Sequence, residues 1–306
     1  MLVLRKNELR VFKAICHGAK STAKVEKSTG ISAISVYRAV QSLSSKKLIE
    51  ARRTGKRLEL SRTSHGHSKA LAAYLEGEGR PIEPLVGSRL LVLLSVSSNR
   101  KDLDRIAQET WMTSESARRV VWELKGYGAV VQEGRNVSVP QLDTVLVRFL
   151  RDFSKGACET VLESLAATGT VLWNEGLQFV FSARRFDYTK GVSETGMTAM
   201  FKRGLPATSD RRHYHYAYWK PRLRPEDIAL HNVLIDPRST RGISHSLLFL
   251  IKEGYDPEYL VAQGKAVGAG DLSEMIVRYL GGEAVDDARF PSRSGMTRLC
   301  AQYGVK

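Results

Sequence analysis

The chain has 306 residues, 42% hydrophobic and 26% charged. That is the composition of a globular protein, long enough for two or three domains with their own cores. Its 47 Lys+Arg against 32 Asp+Glu give a formal net charge of +15. The longest apolar run, 90–96, falls well short of the roughly 20 residues that a membrane span needs. Cys16, Cys158 and Cys300 form no CxxC pair, which excludes a thiolate zinc finger and fits a reducing compartment. Residues 1–8 hold no apolar run of a secretory signal. The expectation is a cytoplasmic protein with no membrane partner.

The charge is concentrated at one end. Residues 1–69 hold 16 Lys+Arg and 4 Asp+Glu, a net of +12; residues 70–140 hold 9 of each; residues 141–306 hold 22 and 19. A basic module of this kind attracts polyanions, most often nucleic acid, because binding releases condensed counterions. Charge by itself is equally compatible with a solvated basic surface or a membrane-surface patch.

The pattern along the chain is more specific. Leu9, Phe12 and Ile15 predict a helix over 7–18, closed by Gly18. A second short helix fits 22–28, with Val25 inward, before the turn at Gly30. A third runs over 32–46, where Val36, Val40 and Leu43 share one face. Leu48, Ile49 and Glu50 then lead into Arg52, Arg53, Thr54, Gly55, Lys56 and Arg57, and out through Leu58, Glu59 and Leu60. This reads as a β-hairpin turned at Gly55.

Three helices and a basic hairpin follow the order of a winged helix-turn-helix. The stretch from Ile31 to Leu43 (ISAISVYRAVQSL) closely resembles the recognition helix of prokaryotic, archaeal-type winged-helix transcriptional regulators. The resemblance implies double-stranded DNA as partner, with the helix over 32–46 in the major groove. Ser32, Ser35, Tyr37, Arg38, Gln41, Ser42 and Lys46 are the candidate contacts there, and Arg52, Arg53, Lys56 and Arg57 those of the wing on the backbone.

The pattern repeats. A shift of 81 residues carries Leu9, Phe12, Ile15 and Val25 onto Leu90, Leu93, Val96 and Ile106. It also carries Val36, Val40, Leu43 and Ile49 onto Ala117, Val121, Leu124 and Val130. The expected domains are therefore a winged helix over 1–78, a second over 85–168 with connecting helices, and an α+β domain over 169–306. The second copy, with no net charge, is expected to support, to dimerise or to dock a partner; Thr113, Arg118 and Arg119 are its candidate DNA or partner contacts.

A helix is predicted over 63–76, with His65 and His67 near its start, a polar helix start rather than a metal pair. Two helices are predicted after Pro140, over 142–153 and 159–167. Strand-like pieces over 170–182 turn at Asn174, Glu175 and Gly176, and 213–219 reads as an aromatic strand ended by Pro221. About four helices follow, one opened by Pro225, Glu226 and Asp227 and another over 244–252. The overall class is mainly α with small β.

Within this last third, the stretch from Arg224 to His231 and that from Ser246 to Leu250 resemble the C-terminal domain of abortive-infection type IV antitoxin-like regulators. That resemblance implies autoregulation and a nucleotidyltransferase-type toxin, or another protein partner, held by this domain. A second copy of the chain is the other partner considered.

No phosphate loop, dinucleotide fingerprint, HExxH or GxSxG is present. His213 and His215 at i, i+2 on a strand, with His231, His245 or Asp236, are the best metal-binding or catalytic candidates. Tyrosines and arginines among them favour packing or partner contact. The reading is of a non-enzyme without metal or cofactor.

Overall fold

Leu9, Phe12 and Ile15 line the buried face of α1, Lys6–Cys16, in the computed structural model of the chain. The structure describes residues 3–55, 57–77, 79–165, 168–184, 191–206, 211–219 and 221–305, with Arg57 described by its backbone. After α1 comes α2, Thr22–Thr29, opened by the Ser21 hydroxyl accepting the Lys24 amide and closed by left-handed Gly30. Next, α3, Ala33–Ser45, buries Val36, Ala39, Val40 and Leu43 against α1 and α2. An antiparallel hairpin, β1 Ile49–Thr54 and β2 Arg57–Arg62, leads into α4, Gly66–Glu76. This last helix opens three residues later than predicted. The Thr63 hydroxyl donates to the Lys47 carbonyl at 2.6 Å, closing the base of the hairpin instead of starting the helix.

The same order then recurs: α5 Ser88–Ser95, β3 Lys101–Asp102, α6 Leu103–Thr110, α7 Ser114–Gly126, and a hairpin of β4 Val131–Glu133 and β5 Asn136–Ser138. At a shift of 81, α2 coincides with α6 and α3 with α7, end for end. The cap at Ser21 recurs at Asp102, which accepts the Arg105 amide at 2.7 Å. Left-handed Gly30 and Lys47 recur as left-handed Trp111 and Gly128. The bridge Ser21–Glu59 recurs as the pairing of Asp102 with Asn136. Beyond that bridge the first hairpin continues for two more pairs, Arg53 with Leu58 and Thr54 with Arg57, whereas the second ends at Glu133 with Asn136. Even the tie from first helix to third is kept with its charges exchanged: Glu8 reaches Lys46 at 2.6 Å, and Arg89 reaches Glu123 at 3.0 Å.

In place of the two helices predicted over 142–153 and 159–167 there is one, α8, Thr144–Leu165; Ala167 lies outside the described residues. Gly156, between the two predicted helices, lies inside this one as a packing residue. A Cβ at Gly156 would run into the His67 ring on α4, so the glycine lets the two helices approach. Gly156→Ala tests this directly. In an exposed helix the change gains about 1 kcal/mol; here it is expected to cost about 1–3 kcal/mol by overpacking, read as a lower urea midpoint. A gain would contradict the packing role.

The chain divides into two compact units, Met1–Val161 and Leu162–Lys306. The second holds an antiparallel sheet ordered β6-β7-β9-β8, from β6 Gly169–Glu175, β7 Gln178–Ala183, β8 Val192–Glu194 and β9 Arg212–Ala217. Strand alternation gives its two central strands different faces. Phe179 and Phe181 lie beside Tyr216 and Tyr214 on one, with ring centroids 5.1 and 5.3 Å apart; His213 and His215 project from the other. Helix α9, Gly196–Lys202, packs on β9 and on α10, Pro225–Ile235. Helices α11 Thr240–Glu253, α12 Pro257–Ala266, α13 Gly270–Leu280 and α14 Arg293–Tyr303 complete a core around Ile243, Leu247, Phe249, Leu260 and Ile276. Thus α11 begins four residues before the predicted 244, at the Ser239 cap, and five helices follow β9 instead of about four. The described residues form a mixed α+β fold with 14 α-helices and small antiparallel sheets. None of those helices is long and apolar enough to cross a membrane.

Candidate nucleic-acid interface

Burial of Val36, Ala39, Val40 and Leu43 turns the opposite stripe of α3 to solvent. Tyr37, 53% exposed, Arg38 and Gln41 lie on that stripe, and the Gln41 amide donates to the Tyr37 hydroxyl at 2.9 Å. This i, i+4 bond holds two hydrogen-bonding side chains in a common orientation. Ser32 stands at the N-cap, its hydroxyl donating to that of half-buried Ser35 at 3.1 Å. Ile34, 67% exposed, shares the stripe but was not singled out from the sequence. Its exposure becomes legible once the phase of the helix is fixed, since 34, 37, 38 and 41 are spaced by one turn.

The structure does not bring Ser42 and Lys46 to this face. The Lys46 ammonium lies 2.6 Å from the buried Glu8 carboxylate, and the Ser42 hydroxyl bonds to the same group. Burial alone would push the Glu8 carboxyl up. Lys46, the Arg5 amide and Ser42 outweigh it and hold the group below the usual carboxylate range. These two residues therefore brace α3 against α1.

In the hairpin every residue of β1 after Ile49 is exposed. Arg52 pairs with Glu50 at 2.9 Å, with both largely in solvent, so the pair adds little stability. Arg53 makes no ion pair among the described residues. Lys56 and the side chain of Arg57 lie outside them. Arg38 and Arg53 are thus cations carried on exposed elements with no ion-pair partner among the described residues.

In the second copy Thr113 caps α7, accepting the Ser116 amide at 3.2 Å, and Arg118 and Arg119 are exposed. The interior of that copy holds an ionic cluster with no counterpart in the first. Fully buried Lys101 and Glu109 meet at 2.9 Å, with Arg105 on the other carboxylate oxygen at 2.6 Å and the Ser95 hydroxyl donating at 2.8 Å.

The histidines of the C-terminal unit form a second polar group. The His215 ring stacks on His231 with centroids 4.3 Å apart, and its Nε2 lies 3.1 Å from Gln178 Oε1. His231 Nδ1 lies 2.8 Å from Thr195 Oγ1, also buried. Burial pushes the His231 ring down to about 3, so it is neutral at pH 7. His245 lies apart, against the Tyr303 hydroxyl at 3.1 Å, and exposed Asp236 accepts the Arg238 amide. Among the described residues no three His, Cys, Asp or Glu converge on a shared metal position.

The chain matches no family model, and no curated protein or solved structure matches it either.

Proposed function

We propose that the protein is a double-stranded DNA-binding transcriptional regulator built on tandem winged helix-turn-helix modules. In this reading α3 enters the major groove and the β1–β2 hairpin lies on the phosphate backbone. The observation that carries it is the outer stripe of α3. Tyr37 and Gln41 are bonded side by side next to exposed Arg38, in a segment of net charge +12 that runs on into a basic hairpin. Arginine and glutamine can each form two hydrogen bonds with a base edge, to guanine and adenine respectively. The recurrence of caps, left-handed residues and bridges at matching positions supports two copies of one module. Their contrast in charge supports assigning duplex recognition to the first.

The test is duplex binding by the full chain over a range of salt. Arg38→Ala is expected to cost about 1–3 kcal/mol on the preferred site and little on random duplex. Arg53→Ala is expected to weaken both alike and to lower the slope of log K against log salt by about one. Equal losses on both duplexes for Arg38→Ala would remove α3 from base reading, and absence of duplex binding would remove the function.

A further inference from the structure

The two copies agree at their caps, turns and bridges, and depart from each other on the surface of the third helix. Where the first has Gln41, the second has Trp122, 73% exposed; where the first has left-handed Gly30, the second has Trp111, 64% exposed and still left-handed at φ 57°. A bulky residue in that conformation costs about 1–2 kcal/mol that glycine avoids. The first of these places a large aromatic ring in water. Arg118 and Arg119 stand one turn before Trp122 on the same stripe of α7, and neither has an acidic partner among the described residues. Two of the nearby acids are already engaged, Glu123 with Arg89 at 3.0 Å and Glu133 with Arg100 at 2.6 Å. Glu115 remains, in the first turn of α7, where its charge suits the helix dipole. Lys125 and Tyr127 extend the face toward the C-terminal end of the helix.

We propose that this face of α7 binds single-stranded nucleic acid, with Trp122 stacking on an unpaired base and Arg118 and Arg119 holding the adjoining phosphates. An indole offers one donor and no acceptor, so replacing an amide by Trp122 removes the group that pairs with a base edge in a duplex. What it adds is a π face, which only an unstacked base can cover. Unpaired arginines beside it supply the charge that a polyphosphate chain requires. The partner is recognised by its bases and phosphates, which DNA and RNA strands share. The proposal depends on the pairing of the two copies and not on duplex binding by α3.

The experiment titrates the full chain with an oligo-dT and an oligo-rU of about 16 nucleotides, and with a duplex of equal length. Tryptophan fluorescence and anisotropy of a labelled strand are followed together. Quenching by either strand is expected, and the sugar preferred is read from the two arms. Trp122→Ala is expected to weaken single-strand binding by about 5–100-fold and to leave duplex binding unchanged, while Trp122→Phe retains most of it. Arg118→Ala with Arg119→Ala is expected to lower the single-strand salt slope by about 1.4. Arg38→Ala is expected to affect the duplex alone, which separates failure on α7 from failure on α3. Absence of single-strand binding, unchanged affinity in Trp122→Ala, or equal losses on strand and duplex would each overturn the proposal. So would a protein partner whose capture depends on Trp122 while neither strand binds.

Discussion

Replacing Glu109 by glutamine is expected to destabilise the unit Met1–Val161 by about 3–5 kcal/mol. The carboxylate meets both Lys101 and Arg105, and Lys101 and Glu109 have essentially no exposed side-chain surface. Burial alone would push the Glu109 carboxyl up. The Lys101 and Arg105 charges, with hydrogen bonds from Lys101 and Ser95, hold it below its ordinary value instead. Glutamine keeps the shape and removes the charge, so a fully buried ammonium loses the carboxylate 2.9 Å from it. Arg105 has 16% of its side chain exposed and can turn outward; Lys101 has no such exit. The loss is read as a lower urea midpoint and as faster hydrogen exchange in α6. The double variant Lys101→Met with Glu109→Leu is expected to recover most of the loss, since an apolar pair removes both desolvation costs. A single variant as stable as the parent would show that the pair contributes nothing.

Acid is expected to unfold the C-terminal unit through His231. Its folded ring titrates at about 3, because burial against Trp173, His215 and Thr195 disfavours the charged form. An unfolded histidine titrates near 6.5. Between these values the unfolded chain binds the proton and the folded chain does not, so stability falls as pH falls. The contribution is complete above about pH 6.5 and is lost progressively down to about pH 3, on the order of 5 kcal/mol in all. Unfolding free energies of the full chain at pH 7 and pH 4 measure it. His231→Gln, which cannot titrate, should flatten the dependence; an unchanged slope would assign the effect to other groups.

How much of this was legible in the sequence depends on what each residue answers to. The apolar faces of α1 to α3 follow their own spacing, so Leu9, Phe12, Val36 and Val40 locate those helices to within two residues at either end. The shift of 81 was legible for the same reason, because core positions repeat even when surfaces diverge. Gly156 was not: only the His67 ring across the helix pair makes it a contact. Lys46 reads from its own helix as a DNA contact, because the Glu8 carboxylate that holds it lies 38 positions earlier in the chain. Buried Lys101 and Glu109 are invisible to hydrophobic periodicity, which scores both as outside. The stacking of His215 on His231 joins a strand to a helix across the intervening Pro221, so no local pattern contains it. On the candidate interface, Tyr37, Arg38 and Gln41 follow from helix phase, and so does Ile34 once that phase is fixed.

The unequal hairpins give the two copies different mechanical reach. Two further residue pairs on the first carry its tip about 7 Å beyond the point where the second turns back. That is about two base-pair steps of a duplex. The longer arm is also a longer lever: a given rotation of the α1–α3 core sweeps the guanidinium of Arg53 through a wider arc than the same rotation of the second core gives Glu133. The first hairpin thus carries a cation, Arg53, past the point at which the second ends on the acid Glu133.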